Sequence, residues 1–307
     1  MKMDTLTQLT HKILMIRPAN FTQNVQTMAD NHFQNKQFSC VDIHKKALAE
    51  FDDLNQKLLA AGIQVCTVPD QLDPETPDAI FPNNRISFHG DGVTCIYPMK
   101  TPNRRLEHQL DVLKPLEKLD MFHCKKQLDY RFYEKEEMFL EGTGSLVLDR
   151  VNRIAYAAKS ARTSSSLVTK WCLEMGYRPI SFAAKYQNVE IYHTNVLMSL
   201  GEKVAVICSA AIPNLMERQQ VLSALNHSHH EVIDISLEQL SNFCGNILQI
   251  KNQQDETFFA MSQCAFEHFS SEQINLLKQD GALIYSDIST IEKAAGGSVR
   301  CMLAEVF

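Results

Sequence analysis

Glu141, His193 and Cys301 lie far apart in the chain, yet together they supply a carboxylate, an imidazole and a thiol. Those are the parts of a nucleophilic catalyst. A nearby imidazolium favours the thiolate, and the thiolate is the attacking form. Asn84 and Asn195 add two amides, each donor and acceptor at once. Such a set works only if folding gathers it, so the elements that carry these residues come next.

Those elements repeat. A small residue or Asn followed by an apolar run begins at positions 84, 144, 195, 246 and 298, at spacings of 60, 51, 51 and 52 residues. The runs are Asn84–Phe88, Gly144–Leu148, Asn195–Ser199, Asn246–Ile250 and Ser298–Met302. After each of the first four, a polar turn leads to a second short apolar run, which predicts a hairpin. The fifth stands at the end of the sequence, before Leu303–Phe307. Between hairpins, Ser39–Ala61, Ser164–Met175 and Pro213–Leu225 show the 3–4 residue apolar rhythm of helices, with Ser164 a candidate cap. Leu237–Phe243 and Ser271–Gln279 predict shorter helices, and Ile63–Val68 a strand. Five such units cannot each bury a core alone. Packed round an axis, their helices would lie outside and their strands would line a centre. Counted from each starting position, Glu141 is at minus three, His193 at minus two, Cys301 at plus three, and Asn84 and Asn195 at zero. Repeat geometry brings such positions together.

Composition sets limits. A chain of 307 residues, 45% hydrophobic and 21% charged, buries a full core without staples and is neither disordered nor fibrous. The formal charge of −6 argues against nucleic acid as partner. No apolar run is long enough to span a bilayer, and Asp4, Gln8 and His11 interrupt any secretory signal, so a cytoplasmic start is expected. Nine cysteines without a CxxC pair argue against a disulfide framework or a structural zinc. The cluster His227-Ser228-His229-His230 lacks evident partners and is expected to hold no metal. The remaining charges have ordinary readings: Asp91 and Glu190 as surface residues, and Arg17-Pro18 as the end of the first strand, at the pocket's edge.

Phe139-Leu140-Glu141-Gly142-Thr143-Gly144, Ser160-Ala161-Arg162-Thr163, Tyr192-His193-Thr194-Asn195 and Gly296-Gly297-Ser298-Val299-Arg300-Cys301 resemble the guanidine-modifying superfamily. That group comprises arginine deiminases, dimethylarginine hydrolases, agmatine deiminases and amidinotransferases. Within it, Ile80–Asn84, Pro98-Met99 and Asn103-Arg104-Arg105 resemble the bacterial citrulline-utilisation group. The resemblance runs from Ile13 to Phe307. It implies one catalytic domain over 1–307 with the pentein fold, a five-bladed α/β propeller, in agreement with the repeat count.

The resemblance also implies roles. Cys301 attacks the central guanidino or ureido carbon and forms a thiouronium-type adduct. His193 protonates the leaving nitrogen and then activates water. Glu141 holds the substrate's N–H groups, and Arg162 fixes its α-carboxylate, with Arg105 a second candidate for that contact. No metal or organic cofactor is needed; a small amino acid is the expected partner, and a homodimer fits the fold. Arginine deiminases place aspartates where Asn84 and Asn195 stand. An amide cannot neutralise a guanidinium, but it can meet the C=O and N–H of a neutral ureido group. Citrulline hydrolysis to ornithine, ammonia and carbon dioxide is therefore the leading expectation. Hydrolysis of arginine or dimethylarginine, amidino transfer, and a non-catalytic pentein-type binding protein are the alternatives.

Overall fold

A computed structural model of the chain describes residues 7–307; Met1–Asp4, with which the N-terminal reading begins, lie outside the described residues. Short β-branched runs broken by turns form five three-stranded sheets and one two-stranded ribbon. All five sheets follow one plan. A first strand pairs antiparallel with a second, and the second pairs parallel with a third. Ile86–Phe88, Val93–Ile96 and Lys126–Asp129 make one sheet. Val147–Asp149, Ile154–Lys159 and Arg178–Ala183 make the next. Met198–Leu200, Val204–Ile207 and Glu231–Asp234 follow, then Leu248–Lys251, Thr257–Ser262 and Ala282–Ser286. The first pair of each of these four is a predicted hairpin. The fifth sheet joins the two ends of the sequence: Ala304–Val306 pairs antiparallel with Lys12–Arg17, which pairs parallel with Gln64–Pro69.

A parallel pair needs a crossover, and here the crossovers contain the helices. Ile43–Ala60 crosses in the fifth sheet and buries Ala47, Phe51, Leu54 and Leu58, the face its periodicity predicts. Each large side chain so buried contributes about 1.5–3 kcal/mol. Ser165–Met175 and Leu215–His227 cross in the second and third sheets. Asn214 caps the latter through its side chain. Ser236 and Ser270 form capping boxes with Gln239 and Gln273 at the two shorter helices. Ser164 stands at the cap position of Ser165–Met175 without capping it, because its hydroxyl is engaged by Ser166 Oγ at 2.8 Å.

The sequence pattern differs from the structure at one recurring point. Strands expected at 84, 144, 195, 246 and 298 begin at Ile86, Val147, Met198, Leu248 and Ala304. In four of the five units the residues just before the strand form a single helical turn: Pro82–Asn84, Gly142–Ser145, Thr194–Leu197 and Val299–Met302. A turn of three or four residues is too short for apolar period to separate from a strand. Its consequence is functional, since the chemistry-bearing residues sit on or beside these turns and not in the strands.

All nine cysteines are free thiols. Among the described residues no helix is long and apolar enough to cross a membrane. Nor does any group of three or more His, Cys, Asp or Glu side chains stand ready to hold a metal.

Candidate active site

Glu141 immediately precedes the turn Gly142–Ser145 and is fully buried. Its N–H donates to Ser145 Oγ at 3.0 Å. Its Oε1 accepts from the Lys100 N–H at 3.0 Å and its Oε2 from His193 Nε2 at 2.8 Å. Arg162 Nη1 stands 3.5 Å from that Oε2, and Arg104 Nη1 3.9 Å. Burial alone would raise the carboxyl pKa; Arg162, His193 and Arg104 together outweigh it and hold the group well below the usual carboxylate range. Glu141 is an anion.

His193 precedes the turn Thr194–Leu197 and is also buried. Burial lowers its pKa despite the opposing pull of Glu141, so the ring is neutral at neutral pH. A carboxylate only accepts, hence Nε2 carries the proton and Nδ1 the lone pair. The close approach depends on Gly144: a Cβ there would lie 2.5 Å from Asn84 Nδ2 and 2.8 Å from His193 Nδ1.

Cys301 sits in the turn Val299–Met302, its N–H bonded to the Ser298 carbonyl at 2.9 Å. Asn246 Nδ2 lies 3.4 Å from its Sγ and Asn195 Nδ2 3.5 Å. Burial pushes the thiol pKa up, while the Asn246 amide, the Ser298 backbone, Arg300 and the Asn195 amide oppose it. The thiol makes no hydrogen bond to His193. The two face one small cavity instead, so the imidazolium–thiolate pairing expected from residue types is replaced by a thiol between two amides.

Asp78, Phe81, Asn84, Arg104, Arg162 and Tyr192 complete that cavity's lining, together with Asn31, Ala295 and Gly297. It has about 10 Å³ of free space, at the bottom of the ~10–15 Å³ that one water needs. An amino acid enters only if something moves. Asn31 belongs to the irregular stretch between strand Lys12–Arg17 and helix Ile43–Ala60. In the same stretch, Asp30 forms short ion pairs with both Arg162 and Lys100.

Six of the seven residues singled out in the sequence therefore meet: Cys301, His193, Glu141, Asn84, Asn195 and Arg162. Arg162 does not stand free for a substrate carboxylate, because Asp30 and Glu141 already hold its guanidinium. Arg105 is not at the site. It is half-buried, donates to the Met99 and Lys100 carbonyls, and lies 5.7 Å from the Phe139 ring centroid. Its neighbour Arg104 is the arginine inside, because the short helix Pro102–Arg105 turns consecutive side chains to different faces. Arg104 donates to Asn84 Oδ1 at 2.8 Å and forks onto Glu107 at 2.7 and 3.2 Å. Arg17 is also elsewhere, paired with Asp52 at 2.8 Å.

Sequence reasoning missed Asp78 and Asn246, and of the adjacent pair it favoured Arg105 where Arg104 lines the cavity. Asn246 had a signal, since it opens the fourth repeat just as Asn84 and Asn195 open the first and third. Asp78 had none.

The model of the family "N,N dimethylarginine dimethylhydrolase, eukaryotic" matches residues 17–307. With the five-sheet plan, that match places the chain in the guanidine-modifying superfamily. More narrowly, it belongs to the N,N-dimethylarginine dimethylhydrolase family. Among solved structures, ArgZ, an arginine dihydrolase from the ornithine–ammonia cycle in cyanobacteria, superposes with a TM-score of 0.74 at 15% identity; the match covers 96% of this chain and 40% of ArgZ. This chain thus spans well under half of that enzyme. The N-terminal domain of ArgZ with substrate bound gives 0.73 at 15% identity, over 96% of this chain and 97% of the domain. A dimethylarginine dimethylaminohydrolase carrying a 4-chloro-2-hydroxymethylpyridine adduct gives 0.64 at 15% identity, over 97% and 100%. At these identities the likeness is one of fold. No curated protein sequence matches the chain.

Proposed function

We propose that the chain is a cysteine-dependent hydrolase of the ureido or guanidino carbon of a free amino acid, with citrulline as substrate and ornithine, ammonia and carbon dioxide as products. The observation that carries this reading is the neutral lining around the reacting sulfur. Cys301 Sγ lies between the amides of Asn195 and Asn246, and Asn84 presents an amide N–H where a carboxylate would suit a cation. Asn84 Oδ1 is taken by Arg104 and one Nδ2 hydrogen by Asn83 Oδ1 at 3.0 Å, which leaves the second Nδ2 hydrogen for a ureido oxygen.

The chemistry follows from the protonation states. Neutral His193 takes the thiol proton, and the new imidazolium is stabilised by Glu141. The Cys301 thiolate adds to the ureido carbon, and the amides stabilise charge as it develops. The imidazolium returns its proton to the departing nitrogen, the C–N bond breaks, and a thiocarbamate remains on sulfur. Water deprotonated by His193 then adds to that carbon and releases the thiolate. The resulting carbamate breaks down to amine and carbon dioxide. Asp78, buried with an unpartnered Oδ1 on the cavity wall, suits the α-ammonium group. Arg162 suits the α-carboxylate once Asp30 has left it. In this reading residues 1–307 work as one unit, with the five sheets as blades of a ring. Support comes from the sheet shared by both ends of the sequence, and from contacts of Ala304–Val306 with Ile86–Phe88 and of Met198–Leu200 with Val147–Asp149 and Leu248–Lys251.

A second reading is arginine or dimethylarginine as substrate. Glu141 and the free oxygen of Asp78 offer two buried carboxylates to a guanidinium, and the family model and the ArgZ likeness support it. One experiment decides. L-citrulline, L-arginine and N,N-dimethylarginine are incubated with wild type and with Cys301→Ala, and products are resolved by mass spectrometry. Ornithine from citrulline, lost in the variant, is expected. Citrulline from arginine with no ornithine from citrulline would establish the second reading.

A further inference from the structure

The first strands of the sheets have two ends. Their starts carry the candidate site: Asn84 precedes Ile86–Phe88, Glu141 precedes Val147–Asp149, and Cys301 precedes Ala304–Val306. Their far ends open on a second cavity of about 490 Å³ that shares no lining residue with the first. His89, Arg150 and Phe307 follow three of these strands, and Lys251 ends the strand Leu248–Lys251. Three or four strand residues span roughly 10–14 Å. A ligand here is therefore separate from anything bound at Cys301.

The walls carry more positive charge than their neighbours offset. Lys12 Nζ donates to the Met121 carbonyl at 2.9 Å, and Arg153 Nη1 to the Met175 carbonyl at 3.3 Å. Among the described residues neither has a carboxylate partner. Arg150 is buried and lies 3.7 Å from Glu305 Oε2, but Arg300 holds the same oxygen at 2.7 Å, so two guanidiniums share one anion. Lys251 is paired with Asp255, whose side chain is 78% exposed. Among the described residues Asp91 is the one acidic side chain in the lining, and its Oδ1 accepts from the Val93 N–H. The rest combines Thr7, Thr10, His11, His89 and Gly90 with an apolar and aromatic part. Leu9, Met175 and Val306 are buried there, the Phe307 ring lies 3.8 Å from the Arg150 guanidinium carbon, and the Tyr177 ring 5.2 Å from that of Arg153.

Sites for small molecules have this size and this mixture of apolar wall and a few convergent polar groups. Partly buried cations without counter-charges gain most from an anion that brings its own. We propose that this cavity binds a small organic anion, its carboxylate or phosphate group on Lys12 and Arg153 and its apolar body against Leu9, Met175 and Tyr177. The anion is not the substrate of the hydrolase, and the proposal stands or falls independently of that activity.

The test is a fluorescence titration of the full chain with 8-anilinonaphthalene-1-sulfonate, an aromatic anion whose sulfonate stands in for the carboxylate or phosphate. Wild type should bind one equivalent saturably. Lys12→Gln and Arg153→Gln should each weaken binding at least tenfold, and Cys301→Ala should leave it unchanged. Wild-type melting temperature and turnover in the two charge variants check that they fold. Absence of saturable binding to wild type, or equal affinity in wild type and both charge variants, would overturn the assignment.

Discussion

Asn246 Nδ2 lies 3.4 Å from Cys301 Sγ and 2.7 Å from the Asn195 carbonyl oxygen. One amide thus ties the thiol to the turn that follows His193. A thiolate gains more from such a donor than a thiol does, because hydrogen bonds to charged groups are worth about 1.5–3 kcal/mol. Asn246→Ala should lower kcat by roughly 10- to 100-fold with little change in KM. Initial rates over a range of substrate concentrations check this; a raised KM at unchanged kcat would contradict it.

In the proposed reaction Asn84 governs the charge that the substrate's reacting group meets. Asn84→Asp adds a carboxylate beside Arg104, and a guanidinium gains from it more than a ureido group does. The ratio of kcat/KM for arginine over citrulline should rise by about an order of magnitude or more, as expected for a charge pair in a buried site. Parallel rate measurements on both amino acids check this, and an unchanged ratio would remove Asn84 from the specificity argument.

Cys301 should be slow toward a reagent that resembles no substrate. Burial raises its thiol pKa, whereas Cys40 and Cys124 are only partly buried. Iodoacetamide at neutral pH should modify Cys40 and Cys124 first. 2-Chloroacetamidine, shaped like the guanidino group, should modify Cys301 ahead of the other eight. Peptide mapping after limited labelling reads both orders, and an even spread of chloroacetamidine label would contradict the assignment of the nucleophile.

Glu292 makes stability depend on pH. Burial raises its carboxyl to about 7, while hydrogen bonds from Ser298 and Ser262 oppose the rise. In the unfolded chain it titrates near 4.5. The folded state therefore binds the extra proton, and the stability this confers is full below pH ~4.5 and lost as pH rises through ~7. The loss is up to about 3 kcal/mol. Ser298 Oγ donates to Glu292 at 2.7 Å and the Ser298 carbonyl holds the Cys301 N–H, so the change is felt next to Cys301. Between pH 5 and 8 the melting temperature of wild type should fall relative to that of Glu292→Gln, and parallel curves would refute the shift.

Much of the site was legible in the chain because repeats convert sequence spacing into spatial coincidence. Glu141, His193, Asn195 and Cys301 all lie within three residues of a repeat start, and the repeat starts are brought together by the common plan of the units. Asn246 was legible by the same rule. Arg104 and Arg105 were not separable, since adjacent residues of one short helix differ only in which face each presents, and packing decides that. Asp78 lies outside the repeat register, in a stretch with neither helical nor strand period.

The sequence by itself determined the five units, the hairpins of four of them, the long amphipathic helix and the candidate reacting groups. Local period and residue type are properties of the chain, and they survive without knowledge of what packs against what. Tertiary structure decided how the groups are paired. It set Glu141 on His193, the thiol between two amides rather than on the imidazole, and Arg162 on Asp30. Those pairings depend on a few ångströms between segments 50 to more than 130 residues apart. Protonation state, and hence chemistry, follows from them, because a buried charge takes its pKa from the neighbours that folding brings to it.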